Sequence, residues 1–142
     1  MKMTLSQYRQ MVTQKKKRNK YGNNRPVYEG RTWDSDLELK YYQHLQLRKK
    51  AGEIKDVFLQ VGMDLTVDDQ KVCTYFIDFV VKENDDKLSY IEVKGKETKE
   101  WKIKWKHFQI KFRELTPPYS NLFLVKKSRH GFNSEKIIDR EN

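Results

Sequence analysis

The fold is decided by residues 72–95, VCTYFIDFVVKENDDKLSYIEVKG, in which two apolar runs flank a short polar stretch. The runs are rich in β-branched and aromatic residues, which favour strands, and the polar stretch between them is typical of a turn. The first run carries a single carboxylate, Asp78, and the second run ends in Glu92 and Lys94. The sequence therefore predicts a pair of strands with charged side chains embedded in an apolar setting.

Upstream of this pair, the pattern predicts one helix and one further strand. Residues 37–50 place apolar side chains at helical spacing, with Thr32 and Asp34 as candidate N-caps and Gly52 suited to the position after the last turn. Residues 54–67 then change to a β-rich pattern. Because the connections to the strands that follow are short and polar, we expect an antiparallel meander of three strands.

Downstream, the pattern predicts a second helix and a fourth strand. Thr98 opens a helix with aromatic side chains along one face, and Pro117 and Pro118 end it. The stripe consists of Trp101, Trp105, Phe108 and Phe112. Residues 121–125, NLFLV, form the fourth strand. The expected fold is α/β, a mixed sheet made of an antiparallel meander plus a further strand, flanked by helices.

The charge of the chain is concentrated at its beginning. The 142 residues contain 30 Lys and Arg against 20 Asp and Glu, and residues 1–31 contain nine basic residues and one acid. We therefore expect three parts: a flexible basic arm at residues 1–26, a domain at 27–128 and a polar C-terminal tail at 129–142. The arm residues expected to bind DNA are Lys15, Lys16, Lys17, Arg18 and Lys20.

Other features of the composition favour nucleic acid over a membrane as the partner. No apolar run approaches the length of a membrane span, and the stretch from Lys15 to Arg25 has Tyr21 as its one large apolar side chain. The N-terminus lacks the apolar middle of a signal peptide, so we expect the protein to stay in the cytoplasm. Cys73 is the one cysteine, which excludes an intramolecular disulfide.

The charged residues of the central strands indicate a metal site. An unpaired carboxylate in the apolar setting of Asp78 costs several kcal/mol, by order of magnitude, unless a cation compensates it. Glu92 and Lys94 project from one face of their strand about 7 Å apart, and Glu38 adds a third carboxylate from the first helix. Such oxygens suit Mg²⁺, which supports phosphodiester hydrolysis with Lys94 orienting the water. The alternative is a cross-strand network of ion pairs.

The order of these residues is similar to that of a known superfamily. Glu38, then YFIDF at 75–79, then IEVKG at 91–95 resembles the restriction-endonuclease-like PD-(D/E)xK superfamily. Between about Thr32 and Phe112 the chain also resembles a phage family catalogued without a function. It further resembles endonuclease I-type Holliday junction resolvases, which are dimers. Position 77, where the superfamily motif has proline, is isoleucine.

The resemblance implies a role for each site residue. Asp78 and Glu92 bind Mg²⁺, with Mn²⁺ as a substitute, and the backbone carbonyl of Val93 completes the metal shell. Lys94 serves the attacking water and Glu38 assists metal binding. The resemblance also implies a homodimer that cuts branched DNA. Another phage DNA-processing nuclease, for head completion or packaging, and a noncatalytic DNA-binding protein on a nuclease scaffold are the alternatives.

Two further residues are candidate DNA contacts. Gln60, on the strand before the central pair, is interpreted as a contact to DNA or to a metal-bound water, with a solvent-facing strand residue as the alternative. Lys104 is the first choice among the basic residues of the second helix for a phosphate contact, and a solvated helix face is the alternative. His44, His107 and His130 lie in different elements without the spacing of zinc ligands.

Overall fold

The structure is a computed structural model, and it describes residues 25–140. Its helices are α1 (Asp36–Lys50) and α2 (Lys99–Leu115). Its strands, in chain order, are β1 (Val27–Tyr28), β2 (Arg31–Thr32), β3 (Ile54–Val67), β4 (Gln70–Glu83), β5 (Leu88–Val93), β6 (Asn121–Ser128) and β7 (Gly131–Ile138). Neither α1 nor α2 combines the length and apolarity that a membrane crossing requires.

One mixed sheet forms the centre of the molecule. Its strand order is β3-β4-β5-β6-β7, and β1 pairs separately with β2. The β3, β4 and β5 strands are antiparallel neighbours, β5 and β6 are parallel, and β6 and β7 are antiparallel. A parallel pair needs a long crossover, and α2 supplies it between β5 and β6. The predicted meander and the mixed α/β sheet are confirmed.

The two helices belong to two separate apolar clusters. Tyr41 and Leu45 of α1 pack in a cluster with Phe79, Val81 and Ile91 of the sheet. The aromatic stripe of α2 packs in the other cluster, as its spacing predicted. That second cluster includes Tyr75, Tyr90, Trp101, Trp105, Phe108, Phe112 and Leu122. The sheet therefore lies between helices, and the strands contribute apolar side chains to both clusters.

The ends of the helices correct one prediction and confirm two. The N-cap of α1 is Ser35, and not Thr32 or Asp34, because the extended backbone at Ser35 lets its side chain accept a hydrogen bond from the backbone N–H of Glu38. Gly52 follows the end of α1 with a φ of 78°, the left-handed conformation expected there. Thr98 caps α2 by accepting from the N–H of Trp101 at 3.1 Å.

The segment predicted as a polar tail, residues 129–142, contains the edge strand β7. Its backbone pairs antiparallel with β6, from Gly131 opposite Ser128 to Ile138 opposite Leu122. Most of its side chains are exposed, so no apolar alternation marks it in the sequence. Phe132 packs edge-on against Tyr41, with ring centroids 5.1 Å apart. The polar composition of residues 129–142 does not mark this strand, because backbone pairing with β6 and only a few apolar side chains hold it.

Candidate active site

A break in side-chain alternation marks the middle of β3. Leu59 packs in the cluster of α1, whereas Val61 packs in the cluster of α2. Residues two apart on a regular strand share a face, so the alternation is interrupted between them. The interruption falls at Gln60, whose backbone φ of 48° lies in the left-handed region that residues other than glycine rarely adopt. In the middle of a strand, where no turn requires it, strained backbone of this kind points to a function for the side chain.

The same break occurs on β4, opposite Gln60. Ile77 belongs to the cluster of α2 and Phe79 to the cluster of α1. The pairs Leu59–Phe79 and Val61–Ile77 lie on either side of the break, which places Asp78 beside Gln60. Asp78 is 8% exposed, although it carries a carboxylate. The irregularity thus brings a buried acid and an amide together in the middle of the hairpin.

The Gln60 amide joins two carboxylates from different elements. Its Nε2 donates to Glu38 Oε1 at 2.9 Å and to Asp78 Oδ1 at 3.1 Å. The two oxygens therefore cannot be further apart than these distances combined. Glu38 is 4% exposed in the first turn of α1, where its backbone N–H is held by the Ser35 hydroxyl at 3.1 Å.

The third carboxylate comes from β5. The N–H of Val93 donates to Asp78 Oδ2 at 2.8 Å, which ties the end of β5 to β4. The neighbouring Glu92 is 5% exposed, and its Oε1 accepts from the indole N–H of Trp101 at 3.2 Å. Within the described residues, Glu92 Oε2 and the hydroxyl of Tyr75 are buried and form no hydrogen bond of ordinary length, although Tyr75 lies near enough to Glu92 to lower the pKa of its carboxyl. An unsatisfied buried oxygen of this kind calls for a functional explanation.

Burial and mutual repulsion favour the neutral forms of all three carboxyls. Burial raises the pKa of Glu38 to about 8, and the charge of Asp78 adds to the rise. Burial, followed by the charge of Glu92, raises the pKa of Asp78 well above its usual range. Burial raises the pKa of Glu92 to about 7, against the opposing effect of Lys94. Each pair of neighbours thus disfavours the simultaneous ionisation of both members.

Lys94 supplies a cation on the Glu92 side of this cluster. Its backbone N–H donates to the carbonyl of Val125 at 2.9 Å, which fixes the chain just after β5. Its Nζ lies 4.9 Å from the centroid of the Trp101 ring. Its charge lowers the pKa of Glu92 and so favours the ionised carboxylate. The Lys94 ammonium therefore lies at the side of the cluster formed by Glu92 and Trp101.

The structure brings most of the predicted site residues together. Glu38, Gln60, Asp78, Glu92 and Lys94 lie in one cluster, linked by the contacts above. Lys104 lies on α2 with its Nζ 4.0 Å from Glu100 Oε1, and its contact with phosphate stays a prediction. The carbonyl of Val93 as a metal ligand also stays a prediction. The arm residues Lys15, Lys16, Lys17, Arg18 and Lys20 lie outside the described residues.

Sequence reasoning missed the part that Trp101 plays in the site. It predicted core packing, which is confirmed because Trp101 is 8% exposed and stacks on Trp105 with ring centroids 5.5 Å apart. The same side chain also holds Glu92. A signal for this was present, since a buried indole N–H requires an acceptor and Glu92 precedes the helix by only a few residues. Ser35 also carried a signal, since a serine three residues before a glutamate is the S-x-x-E pattern of a helix N-terminus, whereas nothing in the sequence marks the hydroxyl of Tyr75.

The carboxylates of Glu38 and Asp78 accept hydrogen bonds from an amide, and their arrangement is not that of a metal site. Among residues 25–140, no group of three or more His, Cys, Asp or Glu side chains stands in an arrangement that could hold a metal ion. Between Glu38 and Asp78 lies the amide of Gln60. A cation shared by these two carboxylates would have to displace that amide nitrogen.

Comparison with known proteins gives one family. The family model described as "Protein of unknown function (DUF1064)" matches residues 18–127, which is most of the chain. The matched range includes the whole carboxylate cluster together with Lys94. No curated protein and no solved structure matches the chain.

Proposed function

This chain belongs to the DUF1064 family of proteins of unknown function, and we propose that it is a metal-dependent DNA endonuclease. One observation carries the proposal: Glu38, Asp78 and Glu92 are buried together, and the pKa of each is raised by burial and by another carboxylate. Burying three acids in this way opposes folding. Clusters of ionisable groups with strongly shifted pKa values are concentrated at active sites.

The donor chemistry of the cluster suits a hard divalent cation. The three side chains offer carboxylate oxygens, which Mg²⁺ and Mn²⁺ prefer. Glu92 Oε2 is buried and forms no hydrogen bond of ordinary length among the described residues, so it is available as a ligand. Asp78 and Glu92 would hold the ion, with Glu38 assisting and the Val93 carbonyl completing the shell. A rotation of the Gln60 side chain would free the oxygens of Glu38 and Asp78.

The protein residues have separate tasks in phosphodiester hydrolysis. A bound Mg²⁺ ion supplies a water of lowered pKa and neutralises charge on the scissile phosphate. Lys94 orients the attacking water and stabilises negative charge on the phosphate. Trp101 fixes Glu92 through its indole N–H and lies beneath the Lys94 ammonium. The Gln60 amide, once released, contacts DNA or the attacking water.

We infer the fold class and the substrate from the order of the site residues in the sequence. We assign the mixed sheet with its flanking helices to the restriction-endonuclease-like core, with Glu38, Asp78, Glu92 and Lys94 as its catalytic residues. The substrate is DNA, and branched DNA in particular, as in Holliday junction resolution during phage DNA processing. Cutting two strands of a junction needs two active sites, so the active form is a homodimer.

The test is cleavage of a labelled four-way junction and of a matched linear duplex, each with Mg²⁺, Mn²⁺ or EDTA. Wild type is compared with Asp78→Ala and with Asp64→Ala, since Asp64 is an exposed aspartate of the same hairpin. We expect metal-dependent cutting of the junction, abolished by Asp78→Ala and unchanged by Asp64→Ala. Circular dichroism of the variants separates loss of chemistry from loss of fold.

Each other outcome removes a defined part of the proposal. Equal cutting of both substrates would keep the nuclease and discard the preference for branched DNA. Binding without cutting under any metal would favour a noncatalytic DNA-binding protein. A monomer mass in the presence of junction DNA would contradict the homodimer.

A further inference from the structure

We propose that an open groove between α2 and the tip of the β3–β4 hairpin is a docking site for an acidic amphipathic helix of a partner protein. The groove has a volume of about 640 Å³. One wall is formed by residues 66–68 and the other by residues 102–111 of α2. It shares no residue with the carboxylate cluster, so the inference stands independently of the proposed nuclease activity.

Large apolar side chains line this groove although they face solvent. Ile103 is 72% exposed, Ile110 is 65% exposed and Val67, on the opposite wall, is 53% exposed. The two isoleucines are seven residues apart, which is two helical turns and roughly 10 Å along the axis of α2. They lie away from the face of α2 that packs on the sheet. Exposed apolar groups gathered in one concave surface are typical of a protein interaction site.

The charge around these apolar groups is positive. Lys102, Lys106 and Lys111 line the groove, against one acidic residue, Asp68, in the lining. Lys111 lies 3.5 Å from Glu114 of its own helix. Within residues 25–140, neither Lys102 nor Lys106 has an ion-pair partner, and both are exposed. The surface therefore complements a ligand that presents apolar side chains flanked by carboxylates.

The walls of the groove are already fixed to one another. A ring nitrogen of His107 lies 3.2 Å from the carbonyl oxygen of Thr66, which joins α2 to β3. On the other side of α2, Trp105 and Phe108 are buried in the core. A ligand would bind a preformed surface, which reduces the entropy lost on association.

The geometry and charge of the groove favour one kind of ligand. An amphipathic helix presents apolar side chains three, four and seven residues apart, which matches the separation of Ile103 and Ile110. Residues 1–24 of the chain itself contain seven basic residues and no acid, so like charge repels them from this surface. Nucleic acid matches the lysines, but exposed isoleucines neither stack on bases nor bond to phosphates. A partner helix with acidic flanks satisfies both properties of the groove.

A displayed library of random peptides of about fifteen residues tests this with the full chain as bait. We expect the recovered peptides to be rich in Asp and Glu and to carry large apolar residues three or four positions apart. Binding of the recovered peptides is then measured by fluorescence anisotropy. The double variant Ile103→Ser/Ile110→Ser should bind them roughly tenfold more weakly or worse. Leu47→Ser is the matched control, because Leu47 is 67% exposed on α1.

The charge is tested with Lys102→Glu/Lys106→Glu, which should weaken binding of the acidic peptides by a similar factor. If the serine variant does not fold, this second variant still tests whether the peptides bind in the groove. Recovered peptides without acidic residues, or equal binding by the groove variants, would overturn the inference. Loss of duplex DNA binding in place of peptide binding would assign the groove to nucleic acid instead. A wild-type dimer that Ile103→Ser/Ile110→Ser converts to monomers would assign it to a second copy of the chain.

Discussion

At the scale of single residues, the ionisation of Glu38 determines how the metal-free protein responds to pH. Its pKa is raised from 4.5 to about 8 by burial and by Asp78. The stability this group contributes is fully present below about pH 4.5 and is lost as pH rises through 8. One pKa unit corresponds to about 1.4 kcal/mol, so the loss amounts to at most a few kcal/mol.

The substitution Glu38→Gln isolates this effect, because glutamine has a similar shape and does not ionise. In EDTA, we expect the free energy of unfolding of wild type to fall relative to that of Glu38→Gln between pH 5 and pH 9. Urea unfolding at several pH values measures it. Asp78 and Glu92 remain in both proteins, and because their charges interact with that of Glu38, the difference between the two curves reports the ionisation of Glu38 together with this interaction. Parallel curves would show that Glu38 ionises normally.

The left-handed backbone of Gln60 gives a second prediction for a single residue. Glycine adopts a φ of 48° without the strain that a Cβ causes, and alanine does not. Both Gln60→Ala and Gln60→Gly lose the bonds to Glu38 and Asp78. We therefore expect Gln60→Gly to be more stable than Gln60→Ala by about 1 kcal/mol, as measured by urea unfolding in EDTA.

The control for Gln60 is an ordinary strand position, Phe76, which is 56% exposed on β4 and pairs in regular register with Gly62. There the order should be reversed, with Phe76→Ala more stable than Phe76→Gly, because glycine loses more conformational freedom on folding. If alanine is the more stable replacement at both positions, the strain at Gln60 is too small to matter.

At the scale of secondary-structure elements, the N-terminus of α1 positions an acid of the site. Ser35 accepts from the N–H of Glu38, so Ser35→Ala removes the cap and loosens the turn that carries Glu38. We expect a loss of about 1 kcal/mol in the free energy of unfolding and slower cleavage at unchanged DNA affinity. Ser134→Ala, at an exposed position of β7, is the control. Equal cleavage rates for the two variants would show that the Ser35 cap does not affect the proposed active site.

The elements that the sequence predicted correctly are those with a regular apolar pattern. α2 has an aromatic side chain at nearly every turn of one face, and β4 and β5 are dense in β-branched and aromatic residues. β7 escaped prediction because backbone pairing with β6 holds it while most of its side chains face solvent. The carboxylates of the site were predictable because an acid inside an apolar strand is rare and costly.

The contacts among the site residues were not predictable in the same way. A left-handed glutamine inside a strand has no sequence pattern, because strand propensity describes the regular backbone that Gln60 departs from. The face change at Gln60 and Asp78 depends on how β3 and β4 pair with each other and pack against two different helices. Such long-range packing does not appear in local periodicity.

At the scale of the whole molecule, the residues that carry most of the net charge and the proposed catalytic residues lie in different parts of the chain. Residues 1–24 carry a net charge of +7 out of the total of +10, while Glu38, Asp78, Glu92 and Lys94 all lie beyond them. Affinity for DNA that comes from phosphate contacts depends steeply on salt, whereas chemistry at a buried cluster does not. The two properties should therefore be separable by deletion.

Deleting residues 1–25 should weaken DNA binding and flatten its dependence on salt while leaving metal-dependent cleavage at saturating DNA intact. The logarithm of the binding constant falls with the logarithm of salt concentration by about 0.9 for each phosphate contact, so each lost contact reduces the slope by that amount. Anisotropy titrations over a range of salt concentrations measure it. As a control, the full chain with Lys50, Lys71 and Lys87 replaced by Gln loses surface charge from the domain alone. A deleted chain that keeps the full slope would place the DNA contacts on the domain, and the arm would then have no part in affinity.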